Sequence, residues 1–205
     1  MDATKDIANE IADAIEQKIY NGITTRKILR MVFNLLSQYR PSVAYQIDLR
    51  KALSLVKPQP DFERYVQMLL SEHGYDVTPN RILRGKCGEH EVDAIARRDG
   101  VTYIVEVKHH TQYHRSTGLD VSRIARAILE DVTEGFNLGL NYLKIDKAMI
   151  VCNTKLSEHA KRYALCRDID NIGWSTPPDL NLQSLIHNHR LYPLTYLRSL
   201  TPVDR

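Results

Sequence analysis

The sequence predicts an α/β protein, in which a mixed β-sheet is flanked by helices and preceded by a small all-helical segment. Three observations carry this prediction. Residues 1–56 have apolar residues at helical spacing and no strand pattern. Residues 91–108 alternate polar and apolar side chains on both sides of Asp99-Gly100, as the strands of a hairpin do. After the hairpin, helical and strand patterns alternate, which is typical of a sheet with helices on both faces.

Three short helices are predicted before residue 57. The first ends at Gly22, Thr25 caps the second, and Ala44, Ile47 and Ala52 mark the third. Their apolar faces are formed by Ile7, Ala8, Ile11, Ile15 and Ile19 in the first helix and by Ile28, Val32 and Leu36 in the second. The run Lys57-Pro-Gln-Pro60 predicts a stiff linker, because two prolines stop a helix. We therefore expect one domain at residues 1–56, a linker at 57–60 and a second domain at 61–205.

The second domain is predicted to begin with a helix that Asp61 caps and Gly74 closes. A strand at 75–83 and the two hairpin strands follow. The remaining elements are a helix with apolar residues from 121 to 132, a strand at 148–152, a helix opened by Ser157 and a short strand at 172–174.

The turn at Asp99-Gly100 sets the register of the predicted hairpin. Asp-Gly tolerates positive φ at both central positions of a two-residue turn. Such a turn pairs Arg98 with Val101, Ile95 with Ile104, Asp93 with Glu106, and Glu91 with Lys108. Because side chains in a strand alternate between the two faces, one face is expected to carry four charged residues: Glu91, Asp93, Glu106 and Lys108.

This face of the hairpin carries charges that predict a cation site. Asp93 opposite Glu106 places two like charges about 5 Å apart, which is destabilising unless something compensates. Carboxylate oxygens suit Mg²⁺ or Mn²⁺. Lys108 adds a positive charge suited to orienting an attacking water or stabilising charge on phosphorus oxygens. Glu91 either pairs with Lys108 or extends the acidic site. An ordinary hairpin with a wet, charged face is the alternative, which the apolar run at 104–107 disfavours.

Asp93 and the run Glu106-Val-Lys108, with Glu63 on a helix upstream, resemble the motif of the PD-(D/E)xK nucleases, and more closely the Mrr-type restriction endonuclease catalytic domains. The resemblance implies a restriction-endonuclease-like fold and a metal-dependent cut of a DNA backbone. It implies Asp93 and Glu106 as metal ligands and Lys108 as a water-orienting base or an electrostatic element. Glu63 matches a helix glutamate that some members add to the metal site. Val92 stands where the motif often has proline.

The helices before residue 57 resemble the last three helices of the ATP-cone, a nucleotide-sensing module. Gly22-Ile-Thr-Thr25 and Ala44-Tyr45 are placed as in that family. The strand pair and first helix that hold the nucleotide in the ATP-cone have no counterpart here, so no nucleotide-binding residue is carried over and tight ATP binding is not expected. A helical dimerisation or packing module is the alternative. We expect a homodimer, because two sites related by a two-fold axis suit the antiparallel strands of double-stranded DNA.

Composition and charge narrow the cellular setting. The chain has 205 residues and a formal net charge of +3, and residues 61–205 hold 19 basic and 19 acidic residues. The second domain therefore has no overall basic footprint for nucleic acid. Three widely separated cysteines favour neither a disulfide framework nor a zinc site. With no signal peptide and no apolar run long enough for a bilayer, a cytoplasmic protein without a membrane partner is expected.

The predicted function is that of an endodeoxyribonuclease that depends on Mg²⁺, for which Mn²⁺ substitutes. Two alternatives stand beside it. One is a catalytically weak DNA-binding or regulatory module of the same fold, and the other is a nuclease subunit that depends on a partner for specificity. Intact Asp93, Glu106 and Lys108 favour the enzyme, since a decayed site is expected to have lost at least one of them.

Overall fold

The computed structural model describes residues 5–41 and 46–197. These residues form two compact units. The first contains the described residues up to Asp48 together with Tyr196 and Leu197, and the second runs from Leu49 to Thr195. The division differs from the one predicted at 57–60, which lies inside the second unit. Ala44-Tyr45 of the predicted third helix and residues 198–205 of the predicted second domain lie outside the described residues.

The first unit contains the helices α1 (Lys5–Glu16) and α2 (Thr25–Tyr39). The predicted stripes meet, since Ile11, Ile15 and Leu36 are buried together. The predicted cap at Thr25 was wrong by one residue, because the side chain of Thr24 accepts the hydrogen bond from the backbone N–H of Lys27.

The second unit begins with α3 (Leu49–Leu55), which starts later than predicted and contributes fully buried Ala52 and Leu53 to this unit. A turn over Pro58–Phe62 leads into α4 (Glu63–Glu72). Asp61 was expected to cap α4, but the capping position is Phe62, which makes no side-chain cap hydrogen bond. Phe62 is fully buried, so packing defines the start of this helix.

The main sheet has five strands in the order β1-β2-β3-β5-β7. The strands are β1 (Asp76–Arg84), β2 (Glu89–Arg98), β3 (Val101–Lys108), β4 (Ser116–Thr117), β5 (Lys147–Cys152), β6 (Lys155–Leu156) and β7 (Ile169–Ile172). The helices α5 (Leu119–Asn137), α6 (Glu158–Cys166) and α7 (Leu182–His189) complete the unit. The predicted mixed sheet flanked by helices is confirmed. The predicted strand at 172–174 ends where it was expected to begin, because Gly173 already turns, its N–H donating to the carbonyl of Thr176.

The hairpin of β2 and β3 has the predicted register from the turn as far as Ala94 opposite Val105. Asp99 and Gly100 have φ of 52° and 78°, and Ile95 lies opposite Ile104. β1 and β2 are antiparallel, whereas β3, β5 and β7 run parallel, so their carboxyl ends share one edge of the sheet. Lys108 ends β3 at that edge.

Packing against the sheet holds these strands in place. Ile104 of β3 and Ile150 of β5 belong to one buried cluster with Val121 and Leu129 of α5 and Ala160 of α6. On β1 and β2 the sheet also contacts α4. Within the described parts of the chain, no helix is both long and apolar enough to cross a bilayer.

Candidate active site

Three elements bring the predicted site residues into one neighbourhood. Asp93 lies on β2, Glu106 and Lys108 lie on β3, and Glu63 is the first residue of α4. The ammonium Nζ of Lys108 lies 2.6 Å from Oε1 of Glu106. The charges of Glu106, Glu63 and Lys108 all act on the carboxyl group of Asp93. The four residues therefore form one electrostatic cluster.

Asp93 has a carboxyl group whose ionisation is disfavoured. Burial is the main cause, and the negative charges of Glu106 and Glu63 add to it. A hydrogen bond from the backbone N–H of Val107 to Oδ2, 2.6 Å long, acts in the opposite direction, as does the charge of Lys108. The net result raises the pKa of Asp93 to about 6. A carboxylate with these neighbours is stabilised by a cation placed beside it.

The regular pairing of β2 with β3 ends just before the charged residues. Its last pair is Ala94 with Val105, and beyond it the Asp93 side chain accepts from Val107. The expected pairing of Glu91 with Lys108 was wrong. Glu91 is exposed and lies beyond the last residue of β2 that pairs with β3, and Lys108 has Glu106 as its partner.

Lys108 is a cation held within an acidic setting. Burial opposes its charge, but the hydrogen bond to Glu106 and the charges of Glu106, Asp93 and Glu63 outweigh that cost and raise the pKa of Lys108. Its side chain is 40% exposed and that of Glu106 is 18% exposed, so the pair opens partly to solvent. Lys108 is therefore protonated at neutral pH, which favours an electrostatic role over that of a base.

Glu63 and Gln67 lie one helical turn apart on α4, and both face the cluster around Asp93. Glu63 is 6% exposed. The amide Nε2 of Gln67 donates to the backbone carbonyl of Asp93 over 2.8 Å and lies 3.2 Å from Oδ1 of Asn80. The amide thus ties α4 to β2 at the site. Gln67 was missed in the sequence, although its spacing of four residues from Glu63 predicts a shared helix face.

His109 and His110 directly follow Lys108, the last residue of β3. Both are partly buried, and burial lowers the pKa of each. Nε2 of His109 lies 2.9 Å from the carbonyl of Leu53, and its ring contacts that of Phe62 with centroids 4.9 Å apart. His109 therefore holds the end of β3 against α3 and against Phe62, the residue before Glu63.

The described residues were searched for groups of side chains that could bind a metal ion. Over residues 5–41 and 46–197 there is no group of three or more His, Cys, Asp or Glu side chains arranged to hold a metal ion. The assignment of Asp93 and Glu106 as metal ligands stays a prediction. Their oxygens are nonetheless the hard donors that Mg²⁺ and Mn²⁺ prefer, and Mg²⁺ is usually held by only one or two carboxylates.

Residues 57–172 match the family model described as restriction endonuclease, of the Mrr catalytic type. This match covers more than half of the chain and includes Glu63, Asp93, Glu106 and Lys108.

Several known proteins are similar to the chain. An uncharacterized protein of Archaeoglobus fulgidus is 39% identical over 131 residues, which are 63% of this chain and 70% of that protein. A crystal structure of a protein of unknown function, AF1548, has 36% identity and a TM-score of 0.59, covering 68% of this chain and 71% of that one. A repair endonuclease from Pyrococcus abyssi has 16% identity and a TM-score of 0.38, covering 52% of this chain and 41% of that one, a likeness too weak to inform function.

Proposed function

This chain belongs to the Mrr-type restriction endonuclease family, and we propose that its second unit is an endonuclease that hydrolyses phosphodiester bonds of double-stranded DNA. The observation that supports this most directly is the cluster of Asp93, Glu106, Lys108 and Glu63. These residues come from three elements that are separate in sequence. Such convergence of carboxylates and a lysine at the end of a parallel strand suits hydrolysis of a phosphate ester.

We propose that Asp93 and Glu106 hold Mg²⁺, for which Mn²⁺ substitutes, with Glu63 close by. The raised pKa of Asp93 supports this assignment, since burial and two neighbouring carboxylates destabilise its negative charge and a bound cation would stabilise it. A bound divalent ion supplies Lewis-acid polarisation of phosphate oxygens and lowers the pKa of bound water. The protein contributes the fixed position of the carboxylates: the Val107 N–H orients Asp93, and Gln67 holds the backbone at the same residue.

Lys108 serves in this proposal as the electrostatic element. Its ammonium is protonated and only partly exposed, so its charge is less screened by water than that of a surface lysine. It stabilises negative charge that develops on phosphate oxygens during attack. The ion pair with Glu106 keeps it in position beside the carboxylates before substrate binds.

The test of the proposed function is a cleavage assay with the full chain. Supercoiled, linear, methylated and branched DNA are each incubated with the protein in the presence of Mg²⁺, of Mn²⁺ and of EDTA. We expect cleavage of at least one substrate with a divalent ion and none in EDTA. Absence of cleavage from every substrate, together with retained binding of DNA, would instead establish the alternative of a catalytically weak DNA-binding module.

We further propose that the first unit makes the protein a homodimer and does not bind ATP tightly. Large apolar side chains stay exposed on or next to its helices, among them Ile19 at 51%, Leu29 at 52% and Phe33 at 40%. An apolar groove between α1 and α2 is lined by Ile11, Ile15, Ile28 and Val32. Exposed apolar surface of this kind is typical of a protein–protein contact.

A further inference from the structure

The segment directly after Lys108 forms a built surface feature. Residues 111–115 line a shallow hollow of about 710 Å³ whose walls are Thr111, Gln112, Tyr113, His114 and Arg115. The backbone N–H of Arg115 donates to the carbonyl of Gln112, which closes the turn. We refer to these five residues as the 111–115 loop. It belongs to neither the cluster around Asp93 nor any element of the main sheet.

The residue that precedes the 111–115 loop is anchored in the interior. The backbone N–H of His110 donates to Oδ1 of Asn153, and Nδ2 of Asn153 donates to the carbonyl of His110, both over 2.8 Å. Nε2 of His110 lies 2.9 Å from Oγ1 of Thr117. Asn153 and Thr117 are 0% and 1% exposed. These bonds hold the start of the loop against β5 and β4, so the exposed residues between them have a defined position.

Arg115 of the 111–115 loop and Arg50, which contacts the loop at Tyr113, form no ion pair with any described residue. The guanidinium of Arg50, on α3, lies 5.6 Å from the centre of the Tyr113 ring, and its buried Nε has no hydrogen-bond partner within residues 5–41 and 46–197. Within the described residues, neither Arg50 nor Arg115 has a carboxylate within 4.0 Å. Many other positively charged side chains of the second unit, such as Arg126 and Lys147, form an ion pair with a carboxylate. A guanidinium group without a carboxylate partner favours binding of an anion.

The short distance between the 111–115 loop and Lys108 favours a phosphate of DNA as the anion. Thr111 is three residues beyond Lys108, so it lies within about 11 Å of that residue even for a fully extended chain. Successive phosphates of one DNA strand are about 3.4 Å apart along the helix axis. A strand whose cleaved phosphate lies at Lys108 therefore brings one of the next few phosphates near the loop. The Tyr113 ring already contacts Arg50 and His114, which favours a phosphate contact over stacking on a base.

We propose that the 111–115 loop, with Arg115 and Arg50, binds a backbone phosphate of the DNA strand that is cut, within a few nucleotides of the cleaved bond. The proposal rests on the proposed function, because it assumes that nucleic acid occupies the site at Lys108. Contacts to phosphate position a duplex and carry no sequence information. The loop therefore adds affinity and register equally for all DNA sequences.

Arg115→Ala is the informative variant, since Arg115 is exposed and its loss does not affect packing. Arg167→Ala is the matched control. Arg167 is exposed, as Arg115 is, and its guanidinium lies 5.9 Å from the centre of the Tyr163 ring. It precedes β7 and so lies at the opposite edge of the parallel strands from Lys108. Thermal unfolding of all three proteins verifies that each is folded.

Binding of a fluorescein-labelled duplex in EDTA is measured by anisotropy at several salt concentrations. We expect Arg115→Ala to raise Kd about tenfold, which corresponds to about 1.4 kcal/mol. The slope of log K against log salt should become less steep by about 0.9, the value for one lost phosphate contact. Arg115→Lys should retain most of that slope, and Arg167→Ala should match the unaltered protein. The losses should be the same for duplexes of unrelated sequence.

Three results would overturn the proposal: equal Kd and slope for Arg115→Ala and the unaltered protein, equal losses in Arg115→Ala and Arg167→Ala, or no binding of duplex by the unaltered chain. Because binding is measured without metal, it is independent of cleavage. A protein that binds through Arg115 but cuts no DNA refutes the proposed nuclease and leaves standing only a DNA phosphate contact at Arg115, without a cleaved bond beside it. A protein that cuts DNA with Arg115→Ala unchanged in binding refutes only the phosphate site.

Discussion

The ammonium of Lys108 lies 2.6 Å from the carboxylate of Glu106, two residues earlier on the same strand. In an extended strand these side chains point to the same side of the sheet, so the pair requires no turn of the backbone. The contact gives Glu106 a positive neighbour, while the nearby Asp93 has a raised pKa and forms no ion pair with any residue that the structure describes. Substitutions of the three residues should therefore differ in their effects on metal binding and on cleavage.

Asp93→Ala and Glu106→Ala should each abolish cleavage and weaken binding of the divalent ion, because each removes a proposed ligand. Lys108→Ala should abolish cleavage and leave metal binding largely intact, since an ammonium does not bind a cation. Metal binding is measured by calorimetry with Mn²⁺ and cleavage by gel assay. Glu91→Ala, which removes an exposed carboxylate of the same strand, serves as the control and should retain full activity. Full cleavage by Glu106→Ala would contradict the assignment.

Stability should depend on pH through Asp93. Its pKa is raised from 3.8 to about 6 in the folded protein, so folding favours the protonated form. The contribution of this group to stability is complete below about pH 4 and is lost as pH rises through 6. Asp93→Asn, which cannot ionise, should therefore exceed the unaltered protein in free energy of unfolding by about 1–2 kcal/mol at pH 7, allowing for partial exposure. The difference should shrink toward pH 5.

Divalent metal should reverse this penalty. Because a proton and a metal ion compete for the same carboxylate, Mn²⁺ should raise the unfolding temperature of the unaltered protein more at pH 7 than at pH 5. The ion should have little effect on Asp93→Asn. Denaturant unfolding and thermal scans at pH 5, 6, 7 and 8 measure both quantities, and equal stabilisation at all four pH values would argue against Asp93 as a ligand.

Gln67 should act as a positioning residue through the backbone of Asp93. Gln67→Met keeps a similar volume but removes the donor to the Asp93 carbonyl. We expect a loss of about 1 kcal/mol in the free energy of unfolding. We also expect a larger effect on kcat, about tenfold or more, with KM little changed, because small displacements of a reacting group are costly. Arg64→Met, exposed on the same helix, should leave kcat unaltered.

The proposed dimer is tested by a charge on α2. Phe33→Glu should shift the full chain toward monomer in light scattering, since burying a phenylalanine contributes about 1.5–3 kcal/mol. Gln38→Glu places the same charge on α2 about 140° further around the helix and should not change the mass. Equal monomer content of the unaltered protein and of Phe33→Glu would refute self-association through this surface.

ATP binding is tested by calorimetry with the full chain. No nucleotide-binding residue of the ATP-cone is carried over to this sequence, so we expect no binding tighter than millimolar. The dimer experiments are repeated with ATP present, and the mass of the protein should be unaffected. Binding in the micromolar range would show that the helical unit senses nucleotide by residues that the resemblance does not identify.

The hairpin shows how far the sequence alone determines this site. Asp99-Gly100 permits a single two-residue turn, and the period of two then assigns every side chain of β2 and β3 to a face. The register found in the structure, with Ile95 opposite Ile104, follows from these local rules. Glu106 and Lys108 on one strand could therefore be predicted, but the end of the pairing at Ala94 and Val105, just before Asp93, could not.

Contacts between distant parts of the chain could not be predicted in this way. α3 belongs to the second unit because Leu53 is buried there and its carbonyl lies within hydrogen-bond distance of Nε2 of His109, which is 56 residues away in sequence. The choice of Glu106 over Glu91 as the partner of Lys108 depends on how the strands diverge after Ala94 and Val105.

Local sequence determined the strands β1, β2, β3 and β5, the turn and the residue types of the site, because backbone conformational preferences and side-chain alternation act over a few residues. Only the tertiary structure decided that Gln67 reaches Asp93 and that Asn153 and Thr117 anchor His110. Those bonds depend on the close packing of helices and strands brought together from across the chain, and packing complementarity is a property of the assembled core that no short segment encodes.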